Sequence, residues 1–578
     1  MLRLGRPSDI WFKPALSVVV AAAVPNVTLL ALGRLDLVTY TMAGSFCALY
    51  AHHLPYAARA RVLALVVVGM LTSLCVALLT ASLTGSAAVL VAVGALLAAA
   101  QKALCDATRI GPPGHLIFTF VSSACLFTPG TPGALPGHLA LAAGAGAVAW
   151  LVGMAPALVR PHGPERRATA RALNAAAAYA DEYGVDHADG GGADGPADIP
   201  ARGAADDARA HALVAVDAAW QCLLAISSGP RTDGPRALAY HPRARGRVTR
   251  ADRRDTVRRA LERLLVHADA ALAAPALTDP AALRAWATGL RGTGAVPDLG
   301  STAAAAGDGG LLRVEAAHSA PRPSLWHRIG PGSPLAPIAL RTAVGCALAG
   351  YASLALGVGR PYWALVTAAS LYQANTTLTW TRGVQRLVGN LVGVAAFAAI
   401  APLAHLGPVA LVVCCLLLSF GAEALIARNY WLGSVCVTPM ALLVTEFGRF
   451  QGPGELITDR VADTAVGALV GILAAVAVTN RRATRHVERA LDTADRAREH
   501  AEHALARRDP ERGTLERAHR SLATALVELR ATADAASGEW WRKALPEERL
   551  VLTERVGHRT LAATVRGQGR HVPEGAQA

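Results

Sequence analysis

Apolar residues along the chain gather in runs of membrane length, and a long polar stretch divides these runs into two groups. The first group has runs at 14–32, 37–50, 62–83, 87–104, 116–127 and 139–159; the second has runs at 335–358, 362–378, 387–403, 409–427, 431–444 and 461–479. A helix needs about 20 apolar residues to cross a bilayer, and some runs are shorter than that. The pattern predicts an all-α polytopic membrane protein with two parallel six-helix transmembrane blocks and helical cytoplasmic regions. It divides the chain into a first block (1–160), a middle region with flexible linkers (161–332), a second block (333–480) and a tail (481–578).

The charges between runs alternate. His52, His53, Arg59 and Arg61 follow the second run, Lys102 and Arg109 the fourth, and Arg160, Arg166 and Arg167 the sixth. The turns around Gly85 and over 129–136 carry no charge, and Arg34 and Asp36 cancel. In the second group, Arg382 and Arg386 follow the second run, Arg428 the fourth, and Arg481 and Arg482 the sixth. Basic residues stay on the cytoplasmic side, so both blocks begin and end there and both termini are cytoplasmic. The stretch from Tyr362-Trp363 to Gly393 reads as two crossings joined by a short basic turn, with the aromatic pair at the membrane interface. Pairing Arg61 with Arg386 fixes an offset of 325 residues, at which Ala43 meets Ala368 and Ser45 meets Ser370. Identity is poor, so the repeat rests on run order and charge placement. An even number of crossings makes it parallel.

Between the blocks the pattern turns helical and polar. Residues 165–183 and 204–226 read as helices, and 186–200 as a Gly/Asp/Pro loop. Thr249 and Asp252 look like a capping box, with Val257, Leu261, Leu264 and Leu265 on one face behind it. Thr278-Asp279-Pro280 starts another helix, and 292–310 is a small-residue linker. Eight arginines, from Arg243 to Arg259, form the densest basic run; beside an anionic leaflet it reads as solvated or headgroup-facing surface. In the tail, Asp509-Pro510 breaks a long helix. Leu515, Leu522, Leu526 and Leu529 then make a stripe expected to pack on the middle region. Trp540-Trp541 reads equally as a headgroup contact or a packed pair.

Composition sharpens this reading. The 578 residues are 53% hydrophobic, 17% charged and 5% aromatic, with mean hydropathy +0.34. The net charge of +14 fits a positive-inside membrane protein better than a nucleic-acid binder, because no aromatic residues interleave with the basic runs. Of nine cysteines, all but Cys222 lie in or beside apolar runs, and none has ligand spacing. Arg3, Arg6 and Lys13 precede a first run that continues past Ala21–Ala23, so it reads as a membrane helix rather than a cleaved signal. No Walker A, GxSxG or HExxH pattern occurs. His500 and His503 on a charged helix read as solvated. No enzyme activity, catalytic residue, cofactor, metal or nucleic-acid partner is expected.

Arg341, Tyr362-Trp363, Arg382, Arg386-Leu387-Val388-Gly389, Gly393, Arg460, Asp463-Thr464 and Gly467 resemble the fusaric acid resistance (FUSC)-like family of the aromatic acid exporter superfamily. That superfamily also takes in plant aluminium-activated malate transporters. The close resemblance covers 339–479. Block one departs from it, with Leu37-Val38 in place of the aromatic pair and Lys13 in place of an arginine inside the first run. The resemblance implies a multi-pass permease in a plasma membrane that exports small organic, including aromatic, carboxylates and draws on the proton gradient. An anion channel and a scaffold that recruits partners through its cytoplasmic helices are the alternatives. Ala-, Gly- and Arg-rich usage suggests a bacterium.

Moving an organic anion calls for positive charge along its path. Arg341, Arg382, Arg386, Tyr362 and Trp363 are the candidate substrate-binding residues, and Glu423 and Asp463 the candidate coupling residues. Each has a plainer reading. Arg341 snorkels, Arg382 and Arg386 set topology, Glu423 pairs with Arg428, and Asp463 pairs with Arg460. Gly389/Gly393 and Gly467/Gly471 read as helix packing. The expected partners are a small organic anion and membrane lipids, and the sequence leaves a homo-oligomer open.

Overall fold

The computed structural model describes residues 11–570 except 109, 112, 190–203, 226–249, 274, 293, 298–329, 331–332, 334, 374, 448–451, 478–482, 508–511 and 538–545. Among the described residues every regular element is helical. The first block holds α1 (Phe12–Ala31), α2 (Val38–Ser45, between the tight turns Leu35–Leu37 and Phe46–Leu49), α3 (Tyr56–Leu83), α4 (Ala87–Thr108), α5 (Leu116–Leu126), α6 (Leu135–Met154) and the short α7 (Pro156–Val159). The middle region holds α8 (Gly163–Asp189), α9 (Ala204–Leu224), α10 (Arg250–Ala273) and α11 (Pro280–Leu290). The second block holds α12 (Ala336–Ala355), α13 (Pro361–Leu371), α14 (Thr376–Ala404), α15 (Pro408–Ile426), α16 (Tyr430–Glu446) and α17 (Pro453–Ala477). The tail holds α18 (Ala483–Ala506), α19 (Arg512–Ser537) and α20 (Glu547–Arg570).

Eight of these helices, four in each block, are long and apolar enough to cross a membrane: α1, α3, α4, α6, α12, α14, α15 and α17. The chain is an all-α, multi-pass membrane protein. The other four apolar segments are shorter, and they stand second and fifth in each block: α2 with its turns, α5, α13 and α16. An 11-residue helix rises about 17 Å, roughly half the hydrocarbon thickness. Short segments are also well buried. All eleven residues of α13 are buried, as is every residue from Tyr40 to Ala51. The long helices instead show a lipid-side face. On α1, Ala15, Val18, Ala21 and Ala22 point inward, while Leu16, Val20, Val24 and Val27 are about half exposed.

Both blocks are assembled in the same way. In each, the second segment packs on the sixth, α2 on α6 and α13 on α17. Glycine makes this approach possible. A Cβ on Gly44 would sit 2.2 Å from the Ala142 carbonyl oxygen, and one on Gly467 would sit 2.5 Å from that of Ala364. Between blocks the exchange is reciprocal, since α1 lies along α15 and α12 lies along α4. That is the contact pattern of a pseudo-twofold pair, as a parallel tandem repeat produces.

The stretch from Tyr362 to Gly393 departs from its expected form. No basic turn separates 378 from 387. Asn375 caps α14, its Oδ1 accepting from the Leu378 amide at 2.8 Å, so the helix begins upstream and Arg382 and Arg386 lie inside it. Polar Asn375-Thr376-Thr377 is the start signal. Tyr362 and Trp363 do not mark an interface; they are 8% and 1% exposed and belong to the core.

Between the blocks, α8 to α11 enclose their own core around Leu173, Trp220, Leu264 and Leu283. Asp279 caps α11, accepting from the Ala281 amide at 2.9 Å. In the tail, the stripe Leu515, Leu522, Leu526 and Leu529 does not face the middle region. It fills the tail's own core with Val487, Leu491 and Leu561, because α18 offers a matching stripe, and α20 makes the contact with α10. Arg3, Arg6, Arg243, Arg245, Arg247, Thr249, the linker from 298 on, Arg481, Arg482, Asp509-Pro510 and Trp540-Trp541 lie outside the described residues. His500 and His503 are exposed.

Candidate functional site

A cavity of about 130 Å³ lies between the two blocks. Its walls are mostly apolar. Block one supplies Phe46, Leu49, Leu116, Ile117 and Phe120, and block two supplies Val366, Val437 and Met440. Set among them are Ser370, Arg386, Ser419, Glu423, Tyr430 and Ser434. A cavity of about 150 Å³ with an apolar lining holds one benzene-sized ring. This one is of that scale and adds a cation and a carboxyl group to the lining.

Arg382 and Arg386 stand one helical turn apart on α14 and converge on the same side chain. The Arg382 guanidinium lies 3.4 Å above the Tyr430 ring, and Arg386 Nη1 donates to the Tyr430 hydroxyl at 3.3 Å. Arg386 is 6% exposed, and its Nε has no hydrogen-bond partner. Two of the arginines expected at the mouth therefore take different roles: Arg382 braces Tyr430, and Arg386 reaches the cavity. Tyr430 was not a candidate in the sequence. Its position just after Arg428-Asn429, at the start of a short apolar helix, was the available signal.

Glu423 lines the cavity and does not pair with Arg428, which is exposed beyond the end of α15. The two are five residues apart, which puts them about 140° apart around a helix, on different faces. Asp463 does not pair with Arg460 either. It is buried on α17 and accepts from Ser353 Oγ of α12 at 2.7 Å. Arg460, 1% exposed, instead lies 3.8 Å from the ring centre of Trp363. Tyr362 and Trp363 are in mutual contact, with ring centres 4.8 Å apart. Arg341 does not snorkel. It is 2% exposed and interacts electrostatically with Tyr372, whose hydroxyl donates to the Gly471 carbonyl at 3.2 Å. Neither Arg341 nor Asp463 lines the cavity.

The scaffold behind Arg386 is held by close packing and one polar staple. Gly389 meets Ser434 and Trp431, Gly393 meets Thr438, and Gly471 meets Ala368, so these glycines serve helix packing. Asn390, one turn past Arg386, accepts from Thr438 Oγ1 at 2.5 Å and donates to Thr464. It ties α14 to α16 and α17. His115 of block one meets the Ala369 carbonyl of α13 at 3.2 Å, which pins block one to the cavity wall.

Residues 347–474 match the family described as fusaric acid resistance protein-like. The second block is therefore similar to fusaric acid resistance-like proteins over this stretch. The match includes Arg382, Arg386, Glu423, Tyr430, Arg460 and Asp463, whereas Arg341 lies before its first residue. The uncharacterized membrane protein YvaC of Bacillus subtilis (strain 168) is 32% identical over 157 residues, which cover 27% of this chain and 25% of that protein. The chain thus spans about a quarter of that relative in the matched stretch. No solved structure matches the chain. The fusaric acid resistance-like unit and the membrane-helical fold suggest a transporter rather than an enzyme.

Proposed function

We propose that the protein is a permease that exports small organic carboxylates, aromatic ones included, through the cavity between its blocks. What supports this reading is the pairing of one apolar, ring-sized space with Arg386, whose Nε has no hydrogen-bond partner among the described residues, and with Glu423 in the same lining. The ring of an aromatic acid suits the Phe46, Leu49, Ile117 and Phe120 wall, and its carboxylate suits the guanidinium. Tyr430, clamped between Arg382 and Arg386, holds the cation in place. Outward passage of an anion is favoured by a membrane potential negative inside, by about 2.3 kcal/mol per 100 mV.

Glu423 supplies the handle for protons. Ionised, it adds a negative charge to the cavity lining that disfavours a bound anion; protonated, it does not. Anion affinity therefore rises as pH falls, so Glu423 sets a pH dependence of loading rather than a proton-driven export step. The proposed setting is a bacterial plasma membrane, with the middle region, the tail and both termini in the cytoplasm. The basic residues Arg59 and Arg61 at the start of α3 support that orientation.

The test is benzoate flux in proteoliposomes under an imposed pH gradient, comparing wild type with Arg386→Ala and Glu423→Gln. The expected result is gradient-dependent flux that Arg386→Ala abolishes and Glu423→Gln uncouples from pH. Single-channel currents with no pH coupling would favour a channel. Absence of flux for any carboxylate from folded protein would sink the permease reading.

A further inference from the structure

We infer that Arg460 is a second carboxylate station, separated from the cavity by Trp363, so that the transported anion passes from Arg386 to Arg460. This rests on the permease reading above. Arg460 is 1% exposed, yet its Nε and Nη1 have no hydrogen-bond partner among the described residues. A guanidinium buried at membrane depth with unused donors is costly unless something polar visits it.

Trp363 stands just behind the cavity wall without lining it. Val366 and Ser370 line it, and Trp363 lies on the same face of α13 one turn before Val366. Phe120, another lining residue, packs on the indole with ring centres 5.8 Å apart. Arg460 lies 3.8 Å from the ring centre of Trp363, so the same indole touches both Arg460 and a residue of the cavity wall. Rotation of the indole would turn Arg460 toward the cavity.

Beyond the indole the charges continue. Asp463 lies one turn along α17 from Arg460 and is held by Ser353. Arg360 and Asp459 form an ion pair at 3.8 Å, each about one fifth exposed. Asp463 tempers the field of Arg460, so an arriving carboxylate is held without being trapped. Passage through a membrane protein needs sites that bind well enough to load and weakly enough to release, and two arginines in sequence meet that requirement better than one.

Equilibrium binding of radiolabelled benzoate to the purified full-length chain, measured beside its flux in proteoliposomes, separates the station from the cavity. Arg460→Gln is expected to bind benzoate within about twofold of wild type while losing flux about tenfold or more. Arg386→Gln is expected to lose both. Flux in Arg460→Gln within about twofold of wild type would overturn the station. Removing Arg460 alone leaves Asp463 uncompensated, so the double variant Arg460→Gln/Asp463→Asn decides the case where the single variant fails to fold. Recovered flux in the double variant would mean that Arg460 only balances Asp463, and the station falls. Flux still lost with benzoate binding retained supports it. Wild-type protein that binds no benzoate removes the permease reading, and the station with it.

Discussion

In block two, the ionisable side chains Arg341, Arg386, Glu446, Arg460 and Asp463 lie buried around the short helices α13 and α16. In block one, the same arrangement of long and short helices buries mostly neutral groups. Gln101 donates to Ser122 at 3.1 Å and accepts from Thr119 at 2.8 Å, closing a network between α4 and α5. Arg59, at the start of α3, is buried against His52 at 3.1 Å. Its half of the molecule gives the cavity an apolar wall. The two halves therefore share a skeleton and divide the chemistry: one supplies shape, the other charge. A repeat can diverge in this way because the backbone contacts that close it depend on glycine and alanine, while the inner faces are free to change.

The largest effects should come from the shared skeleton. Gly44→Leu and Gly467→Leu each place a side chain against backbone at 2.2 and 2.5 Å. Both should destabilise by roughly 3 kcal/mol or more. Thermal unfolding in detergent checks this, and a clear difference between the two would break the equivalence of the blocks. Next comes the chemistry. Arg386→Ala should lower benzoate flux about 10- to 100-fold, whereas Arg59→Ala should lower it by no more than about threefold. Equal losses would show that block one also carries charge to the path. Glu423→Gln should leave benzoate flux within about threefold of wild type while flattening its dependence on pH between 5 and 8, measured in the same vesicles.

The smallest effect lies outside both blocks. In the tail, His519 Nδ1 meets Thr564 Oγ1 at 2.8 Å. Burial, with Arg520 beside it, pushes the His519 pKa down to about 4. In the unfolded chain a histidine titrates near about 6.5, so as pH falls the unfolded tail takes up the proton first. The contribution of the neutral ring is present above about 6.5 and is lost as pH falls toward 4. Hydrogen exchange over residues 512–537 of the full-length protein should quicken across that window, and His519→Leu should blunt the change.

Periodicity and charge carried much of the architecture. Eight of the twelve apolar runs appear as membrane-length helices and the described polar stretches are mostly helical, because each depends only on neighbours along the chain. The packing glycines were legible for the same reason: small residues four apart have one common use inside a membrane helix. Arg386 was legible as a candidate binding residue, but not the cavity it lines. A basic residue near a span end looks the same whether it faces the leaflet or a cavity. Tyr362 and Trp363 were misplaced for a related reason, since an aromatic pair opening an apolar run marks an interface only when that run crosses the bilayer.

Composition and spacing along the chain therefore settle that this is a helical membrane protein and where its helices run, since burial in lipid is a property of each segment alone. Which charges meet depends on distances between helices far apart in sequence. Arg460 under Trp363, Tyr430 between Arg382 and Arg386, and Glu423 turned away from Arg428 into a cavity walled by block one arise only when the two halves close on one another.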